Sequence, residues 1–570
     1  MHWSLAIAKE IVKRGREKEK QGEERGGEKR GEKRGERGGE KRGEKRQVVA
    51  TGITPSGEIH VGNLREIITG AAVHSALVDL GAEARLIYIA DTFDPLRRRY
   101  SFLPEEYEVE VGRPLSEIPD PRGCHSSYAE HFLQPFLESL EELGIKVEVF
   151  RADEMYKSGQ YAEAIKEAVA RRAELSRILE EVSGRRLPEG EGWSPFNPLC
   201  DACGRITTAV VKESSLDLES LEREEVRYEC ECGNEGVASF KGGGKLAWRV
   251  DWAARWKILG VTVEPFGKDH AAPGGSFETG KRISAEIFNY EPPFPVPFEH
   301  ILLKTKREGE GAKAKVTAMS SSRGTNVPVH EVLETVPPEV LKHLILRTRP
   351  EKHIEFDPGL PLLNLIDEYE REKGGIGKGT AGKIPFRHLL TLVQIARGDF
   401  SELLEVVKRS GYEVRVESEE ESEEESEEER KEIKKKAGYA ENWLRKYAPP
   451  SLKFELQSAL PSEEVKNLSE GQKRALGQLA GQIKGRGKGE EGRNLSAAEW
   501  QDKIYEVAAA TETEAKEIFK AVYLALLGKP SGPRAGWLLA SLDAEFLRGR
   551  FEAVRECEAN PKELPGREPR

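Results

Sequence analysis

The clearest pattern along the chain is an apolar run, a turn, an amphipathic helix and a second apolar run. Val48 to Ala50 lead into a stretch rich in glycine, proline and serine. A second run covers Leu86 to Ala90. Between the two, apolar residues recur at the spacing of one helix face, at Leu64, Ile67, Ile68, Ala71 and Ala72. This order predicts a strand–helix–strand unit.

Polar residues stand where the predicted helix begins, in the stretch His60-Val61-Gly62-Asn63. Free N–H groups and the positive end of the helix dipole gather at such a position, which suits phosphate. Glycine lets a ligand approach the backbone closely. An ordinary capped helix accounts for the same residues, so both interpretations stay open on this motif alone.

Changes in composition divide the chain of 570 residues into several segments. Strand and turn signals return at Leu246 to Val250 and at Val261 to Gly267, and the pattern is helical beyond Pro337. The alternation of strands and helices predicts an α/β domain with an insertion, followed by an all-α region. The predicted segments are a helix at 1–12, a low-complexity charged insertion at 13–46, the α/β domain at 47–100 and 247–336, the insertion at 101–246, and the helical region at 337–570 with an acidic insertion near 417–436.

The charged segments differ in sign, while the whole chain carries a formal charge of −11. Residues 13–46 hold 15 basic and 9 acidic residues and almost no apolar ones. They predict a solvated spacer, disordered or a frayed helix, or an arm that touches RNA phosphates. The Glu/Ser tract at 417–429 predicts an exposed loop. No apolar run approaches the roughly 20 residues that span a bilayer, so no membrane partner is expected.

Two clusters of cysteine, histidine and aspartate have the spacing of metal ligands. Six cysteines in so long a chain argue against a disulfide framework and for a reducing cytoplasm. Two close pairs match a closed structural Zn²⁺ site, with free thiols as the alternative: Cys200, Cys203, Cys230 and Cys232. A second set offers a carboxylate, a thiolate and two imidazoles, and fits either zinc or a polar turn: Asp120, Cys124, His125 and His131.

Two further stretches carry candidate chemistry. Met319-Ser320-Ser321-Ser322-Arg323 joins hydroxyls and one guanidinium in a loop that could close over a polyphosphate, although most serine-rich turns are plain loops. Gly267 to His270 follow an apolar strand, where open α/β sheets bind ligands. The tryptophans between Trp248 and Trp256 fit core packing equally well.

These blocks together resemble the archaeal-type class I lysyl-tRNA synthetases. His60 to Asn63 are similar to the HIGH signature of class I, and Met319 to Ser322 to its KMSKS loop. Asn63 replaces the last histidine of the signature, and the KMSKS lysines are serine or absent. Arg323, with Lys315 second, is therefore expected to steady the pyrophosphate. The further matching blocks are Met1-His2-Trp3, Trp248 to Trp252, Gly267 to His270, Ile354 to Gly359, Leu363 to Tyr369 and Arg534.

The resemblance implies a Rossmann-type class I synthetase catalytic domain with a zinc-bearing insertion, followed by an all-α anticodon-binding domain of the α-helix-cage type. It implies ATP-dependent activation of lysine to lysyl-adenylate and transfer of lysine to the 3′ end of tRNA(Lys) in the cytoplasm. Mg²⁺ would accompany ATP, and two structural zinc ions would occupy the two ligand sets. The expected tRNA contacts are not assigned to residues, because Trp443, Arg445, Lys446, Tyr447 and the cluster Lys484, Arg486 and Lys488 fit a solvated helix face as well.

The resemblance and the residues together give a predicted site. The predicted catalytic residues are His60, Asn63, Ser320, Ser321, Ser322 and Arg323. The predicted ATP contacts are His60, Gly62, Asn63, Met319 and Ser322. The predicted lysine contacts are Gly52, Thr54, Trp248 and His270, together with Asp91 or Asp94 as the acid that faces the substrate ammonium, although either could instead cap a turn.

Three other functions remain as alternatives. A related class I enzyme that charges glutamate shares much of this layout but needs a cation in its pocket. A tRNA-binding protein without activity would keep the fold and lose the chemistry. A zinc-ribbon adaptor would explain Cys200 to Cys232 but not residues 47–90 or 318–324.

Overall fold

The computed structural model describes residues 2–27, 46–184, 186–187, 193–305, 315–319, 327–414, 423–483 and 495–556. The strands are β1 (Gln47–Ile53), β2 (Ala84–Ala90), β3 (Glu148–Arg151), β4 (Phe196–Pro198), β5 (Ala209–Val211), β6 (Glu225–Cys230), β7 (Glu235–Ser239), β8 (Gly244–Leu246), β9 (Val263–Gly267), β10 (Phe294–Phe298), β11 (Ile301–Thr305), β12 (Lys315–Ala318) and β13 (Ile354–Phe356).

The helices up to residue 346 are α1 (Trp3–Gly27), α2 (Val61–Asp79), α3 (Tyr128–Glu142), α4 (Ala152–Lys157), α5 (Ala162–Ala170), α6 (Arg172–Ser183), α7 (Leu218–Glu222), α8 (Trp248–Leu259), α9 (Ser276–Arg282), α10 (Val329–Leu333) and α11 (Pro338–Leu346). The later helices are α12 (Leu360–Lys373), α13 (Gly379–Lys383), α14 (Phe386–Ala396), α15 (Phe400–Arg409), α16 (Glu423–Lys446), α17 (Ser462–Lys466), α18 (Glu470–Gln482), α19 (Ala497–Thr511), α20 (Ala515–Leu527), α21 (Ala535–Ser541) and α22 (Ala544–Glu556).

The chain forms two compact units. The first comprises residues 1–332 and 341–356, and the second residues 333–340 and 357–570. The first contains all the named strands, and the named elements after residue 357 are helical. The predicted fold class, an α/β domain followed by a helical region, is confirmed. No helix within the described ranges is both long and apolar enough to cross a lipid bilayer.

A parallel five-stranded sheet is the centre of the first unit. Its strand order is β10-β9-β1-β2-β3, and each neighbouring pair is parallel. The chain moves outward from β1 to β2 and β3 and then returns to the other side of β1 with β9. The sheet therefore has its topological switch point between β1 and β9, the place where open α/β sheets bind ligands.

The predicted strand–helix–strand unit is confirmed as β1, α2 and β2. Its apolar face is buried: Leu64, Ile67 and Ile68 are at most 2% exposed. Arg65 points from the same helix to the backbone and donates to the carbonyls of Arg349 and Lys352, both at 2.9 Å. These bonds hold α2, and the helix start with it, in a defined position in the unit.

The predicted strand at Leu246 to Val250 is wrong. Leu246 ends β8, and α8 begins at Trp248. Trp248, Trp252 and Trp256 recur every four residues, which places them on one helix face, and neighbouring rings lie 5.6 and 5.3 Å apart. The helical spacing of the aromatic residues thus determines the structure here.

Two charged segments are more helical than their composition suggests. Helix α1 continues to Gly27, inside the predicted low-complexity segment, and pairs four residues apart support its first turns, such as Arg14 with Glu10 at 2.6 Å. The exposed loop predicted at 417–429 is wrong for its second half, because α16 begins at Glu423. Glu429 is buried there and accepts a bond from the Thr380 N–H at 2.9 Å.

Candidate active site

A cleft opens at the switch point of the sheet, at the carboxyl ends of β1 and β9. Its volume is about 510 Å³, which is within the usual range for small-molecule sites. Thr54 and His60 line it from the segment after β1, Gly267 from the last residue of β9, and His270 from the turn that follows β9. Two segments that lie some two hundred residues apart in the sequence therefore form one site.

His60 stands at the N-terminal cap of α2. Its backbone N–H donates to the Asn63 side-chain oxygen at 3.1 Å. Burial lowers the pKa of His60 to about 4, so the imidazole is neutral at pH 7. Within the described residues its Nδ1 is buried without a hydrogen-bond partner. A neutral ring beside the positive end of a helix dipole can serve a phosphate as a hydrogen-bond donor.

The start of α2 has room only for glycine at position 62. A Cβ at this position would lie 2.8 Å from the His60 ring and 3.7 Å from the Met319 Cε. Any side chain would displace the histidine or fill the cleft. The predicted ATP contacts His60, Gly62, Asn63 and Met319 all line this cleft.

The backbone on both sides of the serine-rich segment lies against the start of α2. Met319 precedes the segment and lines the cleft. After it, Val327 accepts a hydrogen bond from the Val61 N–H at 3.0 Å, and the Val329 N–H donates to the Ile59 carbonyl at 3.1 Å. Ser320, Ser321, Ser322 and Arg323 lie outside the described residues, as does the side chain of Lys315. The residues that border this segment are thus held beside His60.

The predicted lysine contacts divide into two groups. Thr54 and His270 line the cleft, and the His270 ring lies 5.6 Å from the Trp248 ring, centroid to centroid. Gly52 precedes the cleft in β1, and its N–H donates to the Glu66 carboxylate at 2.7 Å. Asp94 accepts a bond from the Thr54 hydroxyl at 2.8 Å. The described lining of the cleft does not include Asp91 or Asp94.

Asp91 and Asp94 belong to a buried cluster of charges. Lys245 reaches Asp94 at 2.5 Å and Asp251 at 3.1 Å, and Arg255 reaches Asp91 at 2.5 Å and Asp251 at 3.1 Å. Burial would raise the pKa of Asp91, but Arg255 and Lys245 outweigh it and hold that pKa below its usual value. Both predicted acids therefore already face cations of the protein itself.

Two further acids were missed in the sequence, the half-buried Glu66 and the buried Glu264. Glu66 lines the cleft from α2, and Glu264 lies in β9, where it accepts bonds from the indole N–H groups of Trp252 and Trp256. Burial raises the pKa of Glu66 to about 8 and that of Glu264 to about 7. A glutamate inside an otherwise apolar strand was the signal that could have revealed Glu264, whereas Glu66 follows Arg65 on an amphipathic helix and has no such signal.

The four cysteines come together as predicted from their spacing. Cys200 and Cys232 have their sulfur atoms 3.7 Å apart, as do Cys203 and Cys230. Thiolates at the corners of a tetrahedron around Zn²⁺, each about 2.3 Å from the metal, are about 3.8 Å apart. Gly204 and Gly233, with φ of 69° and 88°, form the turn after each pair. The geometry fits a zinc ion.

The second set also converges. The Cys124 sulfur lies 3.1 Å from His125 Nδ1 and 3.3 Å from His131 Nδ1, and Asp120 lies 3.0 Å from His131 Nδ1. His131 sits on α3. Asp120 also accepts the Cys124 N–H at 3.0 Å, which holds the turn in shape. One carboxylate, one thiolate and two imidazoles at these separations suit a tetrahedral metal ion.

One of the candidate tRNA-contacting residues, Trp443, belongs to the core of the helical unit. Trp443 is fully buried, and its indole N–H donates to the Pro358 carbonyl at 2.9 Å. A buried indole packs the helical unit and is not available to stack on a base. Lys484, Arg486 and Lys488 lie outside the described residues.

Comparison with known proteins gives consistent results. Residues 28–382 match the model of the family described as tRNA synthetases class I (K). The chain is 48% identical to lysine–tRNA ligase 1 of Methanosarcina acetivorans, over 89% of this chain and 95% of that one. It is 44% identical to the lysine–tRNA ligase of Archaeoglobus fulgidus, over 97% of this chain and 100% of that one.

Among solved structures, the chain is similar to a glutamate tRNA ligase from Elizabethkingia meningosepticum, with 12% identity, a TM-score of 0.43 and coverage of 90% of this chain and 99% of that one. The family match spans more than half of the sequence, and both curated relatives align over nearly their whole length. The chain therefore belongs to the class I tRNA synthetases of the K type.

Proposed function

We propose that this protein is a lysine–tRNA ligase, which activates lysine with ATP and transfers it to the 3′ end of tRNA(Lys). Its curated relatives carry that activity in their names. The observation that carries the proposal is the meeting of two motifs. Met319, at the edge of the serine-rich segment, lines one cleft with the His60 helix start at the switch point of a parallel sheet, and Val327 after the segment is hydrogen-bonded to Val61.

The first step forms lysyl-adenylate. An oxygen of the lysine carboxylate attacks the α-phosphorus of ATP, and the bond from this phosphorus to the bridging oxygen breaks, so pyrophosphate leaves. No protein nucleophile is needed, and catalysis consists of positioning and charge stabilisation. Mg²⁺ bound with ATP would share the phosphate charge.

The residues at the helix start receive the phosphates in this proposal. The His60 ring and the Asn63 amide donate to phosphate oxygens, and the free N–H groups of the first turn of α2 add to them. Gly62 leaves the space that the phosphate needs. The segment Ser320 to Arg323 closes over the β- and γ-phosphates, with Arg323 as its cation.

The second step transfers lysine to tRNA. The 2′-hydroxyl of the terminal adenosine attacks the carbonyl carbon of the adenylate, its proton passes to water, and AMP leaves. The helical unit reads the anticodon region, where single-stranded bases are recognised by stacking and by their edges. We place the reaction in the cytoplasm, in keeping with the thiols of the two metal-ligand sets.

Zinc serves structure in this proposal. The residues Cys200, Cys203, Cys230 and Cys232 would hold one ion and join β6 to the loop after β4. The residues Asp120, Cys124, His125 and His131 would hold the other and tie the start of α3 to the turn before it. In each site the four protein ligands fill all four positions of the tetrahedron. Neither metal ion is therefore expected to bind water or substrate.

Amino-acid-dependent exchange of pyrophosphate into ATP, measured with each of the twenty amino acids, tests the function. We expect exchange with lysine and not with glutamate, because the cleft presents the acid Glu66 to the substrate. Exchange that depends on glutamate would support the alternative enzyme. No exchange with any amino acid, from protein that still binds tRNA(Lys), would support the inactive tRNA-binding alternative.

A further inference from the structure

A buried group of charged side chains lies next to the cleft. Lys245 reaches Asp94 at 2.5 Å and Asp251 at 3.1 Å. Arg255 reaches Asp91 at 2.5 Å and also Asp251 at 3.1 Å. An uncompensated charge in the interior is strongly destabilising, so these groups have to pair with one another. The cluster therefore stabilises the fold, and stability alone would explain its presence.

Thr54 connects this cluster to the cleft. It is half-buried and lines the cleft from the segment after β1. Its hydroxyl donates to one oxygen of Asp94 at 2.8 Å, and Lys245 donates to the other oxygen at 2.5 Å. Asp94 is not among the described residues that line the cleft. Two consecutive hydrogen bonds thus lead from the cleft surface to Lys245 on β8.

Lys245 is a charged donor in one defined place. The strand that carries it, β8, pairs with β4 in antiparallel orientation, and Lys245 is only 2% exposed. Burial would lower the pKa of Lys245, but the three aspartates of the cluster outweigh it and raise that pKa above its usual value. The ammonium group therefore stays protonated at pH 7 and above.

This chain of bonds determines where the Thr54 hydroxyl directs its proton. An ammonium group only donates hydrogen bonds and an ionised carboxylate only accepts them, whereas a hydroxyl can do either. The Lys245 ammonium favours the ionised form of Asp94, because opposite charges in contact stabilise each other. The Thr54 hydroxyl then gives its single proton to Asp94. Only its lone pairs remain for the cleft, so a ligand group that meets Thr54 has to be a donor.

We infer that Lys245 is a positioning residue, which acts through Asp94 to keep the Thr54 hydroxyl as a hydrogen-bond acceptor for an ammonium group of the substrate lysine. The inference rests on the proposed function and extends it to two residues outside the described cleft lining. Lysine carries two ammonium groups, and each of them can only donate. A hydroxyl whose proton is already committed can accept from such a group without first turning, and this preorganisation favours binding.

The balance of charges separates this role from a purely structural one. The cluster has three acids and two cations, and one oxygen of Asp251 is buried without a hydrogen-bond partner among the described residues. Asp94→Asn would remove the surplus negative charge and leave Lys245 paired with Asp251, so it should not weaken the fold. The new amide could turn an N–H toward Thr54 and release the hydroxyl proton to the cleft. Stability and lysine binding should therefore respond differently to this change.

Lysine-dependent exchange of pyrophosphate into ATP tests the inference in Lys245→Met. We expect the KM for lysine to rise about 10- to 100-fold and the KM for ATP to change less than about twofold, since one hydrogen bond to a charged group is lost. Lys257→Met is the matched control and should resemble the wild type, because Lys257 pairs with Glu167 at 2.7 Å near the surface. An unchanged KM for lysine in Lys245→Met would overturn the inference.

Thr54→Val shows whether Lys245 acts through the hydroxyl, because valine keeps the shape of threonine and lacks that group. Once the acceptor is gone, adding Lys245→Met should raise the KM for lysine by less than about a further twofold. A purely structural role of Lys245 would give the same effect with and without the Thr54 hydroxyl, and that result would contradict the inference.

Asp94→Asn keeps the inference testable if Lys245→Met does not fold. We expect this variant to unfold at the wild-type temperature or above it, and yet to raise the KM for lysine about 10- to 100-fold. A folded Asp94→Asn protein with the wild-type KM for lysine would show that the bond from Thr54 to Asp94 has no part in binding.

Two competitive inhibitors of the exchange distinguish the ammonium groups of the substrate. L-Norleucinol carries only the α-ammonium, and ω-aminohexanol carries only the ε-ammonium. Lys245→Met should weaken one of them about 10- to 100-fold and the other less than about twofold, which identifies the group that Thr54 accepts. Equal weakening of both inhibitors, or of neither, would overturn the inference. Wild-type protein without lysine-dependent exchange would instead overturn the proposed function itself.

Discussion

At the scale of single residues, the site depends on groups whose charge is set by their surroundings. His60 is kept neutral by burial, while Asp91 is kept ionised by Arg255 and Lys245. A neutral imidazole at a helix start donates to phosphate without carrying a positive charge into the interior, where an unpaired charge is costly. The residue types alone did not reveal these charge states, since they follow from contacts made across the fold.

Replacement of His60 by alanine tests the role of the helix start. Loss of one donor to the reacting phosphates should lower the rate of lysine-dependent pyrophosphate exchange about 100- to 1000-fold. Binding of tRNA(Lys) should remain at the wild-type level. His74→Ala is the control, because His74 lies on the same helix, near the Ala84 carbonyl at 3.3 Å and outside the cleft lining. Full exchange activity in His60→Ala would contradict the assigned role.

At the scale of elements, hydrophobic periodicity was a good guide wherever a helix or strand buries one face. It predicted β1, α2, β2 and β9 correctly, because each has a regular apolar pattern over its length. It failed at α8, where a β-like run of apolar residues hides tryptophans at helical spacing. The start of helix α16 was predicted to be a loop because its first turns are almost entirely glutamate and serine.

The candidate site was predictable only in part, for a similar reason. Motifs of adjacent residues, such as His60 to Asn63 and the two cysteine pairs, can be found in the sequence because their members lie close together. The cluster of Lys245 and Arg255 with three aspartates joins the loop after β2 to β8 and α8. No local sequence pattern connects those segments. The sequence therefore predicts Asp91 or Asp94 as a substrate contact without showing that Lys245 and Arg255 already pair with them.

The two metal-ligand sets predict that zinc stabilises the elements that carry them. We expect about two zinc ions per chain by elemental analysis of the purified protein. Cys203→Ser should remove one ion and destabilise the sheet β5-β6-β7, whereas His131→Asn should remove the other and leave the first in place. His74→Asn, which changes a histidine outside both sets, is the control. A zinc content that neither variant lowers would show that the ligand sets have been assigned wrongly.

At the scale of the whole molecule, the two compact units carry different parts of the proposed function. The first holds the sheet, the cleft and both metal-ligand sets, and the second is helical. The family match ends at residue 382, soon after the second unit begins, while the curated relatives align over 89% or more of the chain. The predicted division of the chain into five segments stays a prediction, as does reading of the anticodon by the helical unit.

The proposed function requires two segments of the chain to act on one ligand. The start of α2 and the segment Ser320 to Arg323 belong to distant parts of the sequence, and backbone contacts at Val327 and Val329 bring the borders of the second segment to the first. If both segments hold the same triphosphate, the cleft is an adenylate-forming site. If they do not, the proximity of their backbones has no catalytic meaning.

The most direct test is an experimental structure of the protein with lysine and a non-hydrolysable ATP analogue. We predict that the triphosphate lies between His60 and Asn63 on one side and Ser320 to Arg323 on the other, with the lysine carboxylate beside the α-phosphate. A triphosphate bound away from the start of α2, or bound there without any contact from residues 320–323, would contradict the account.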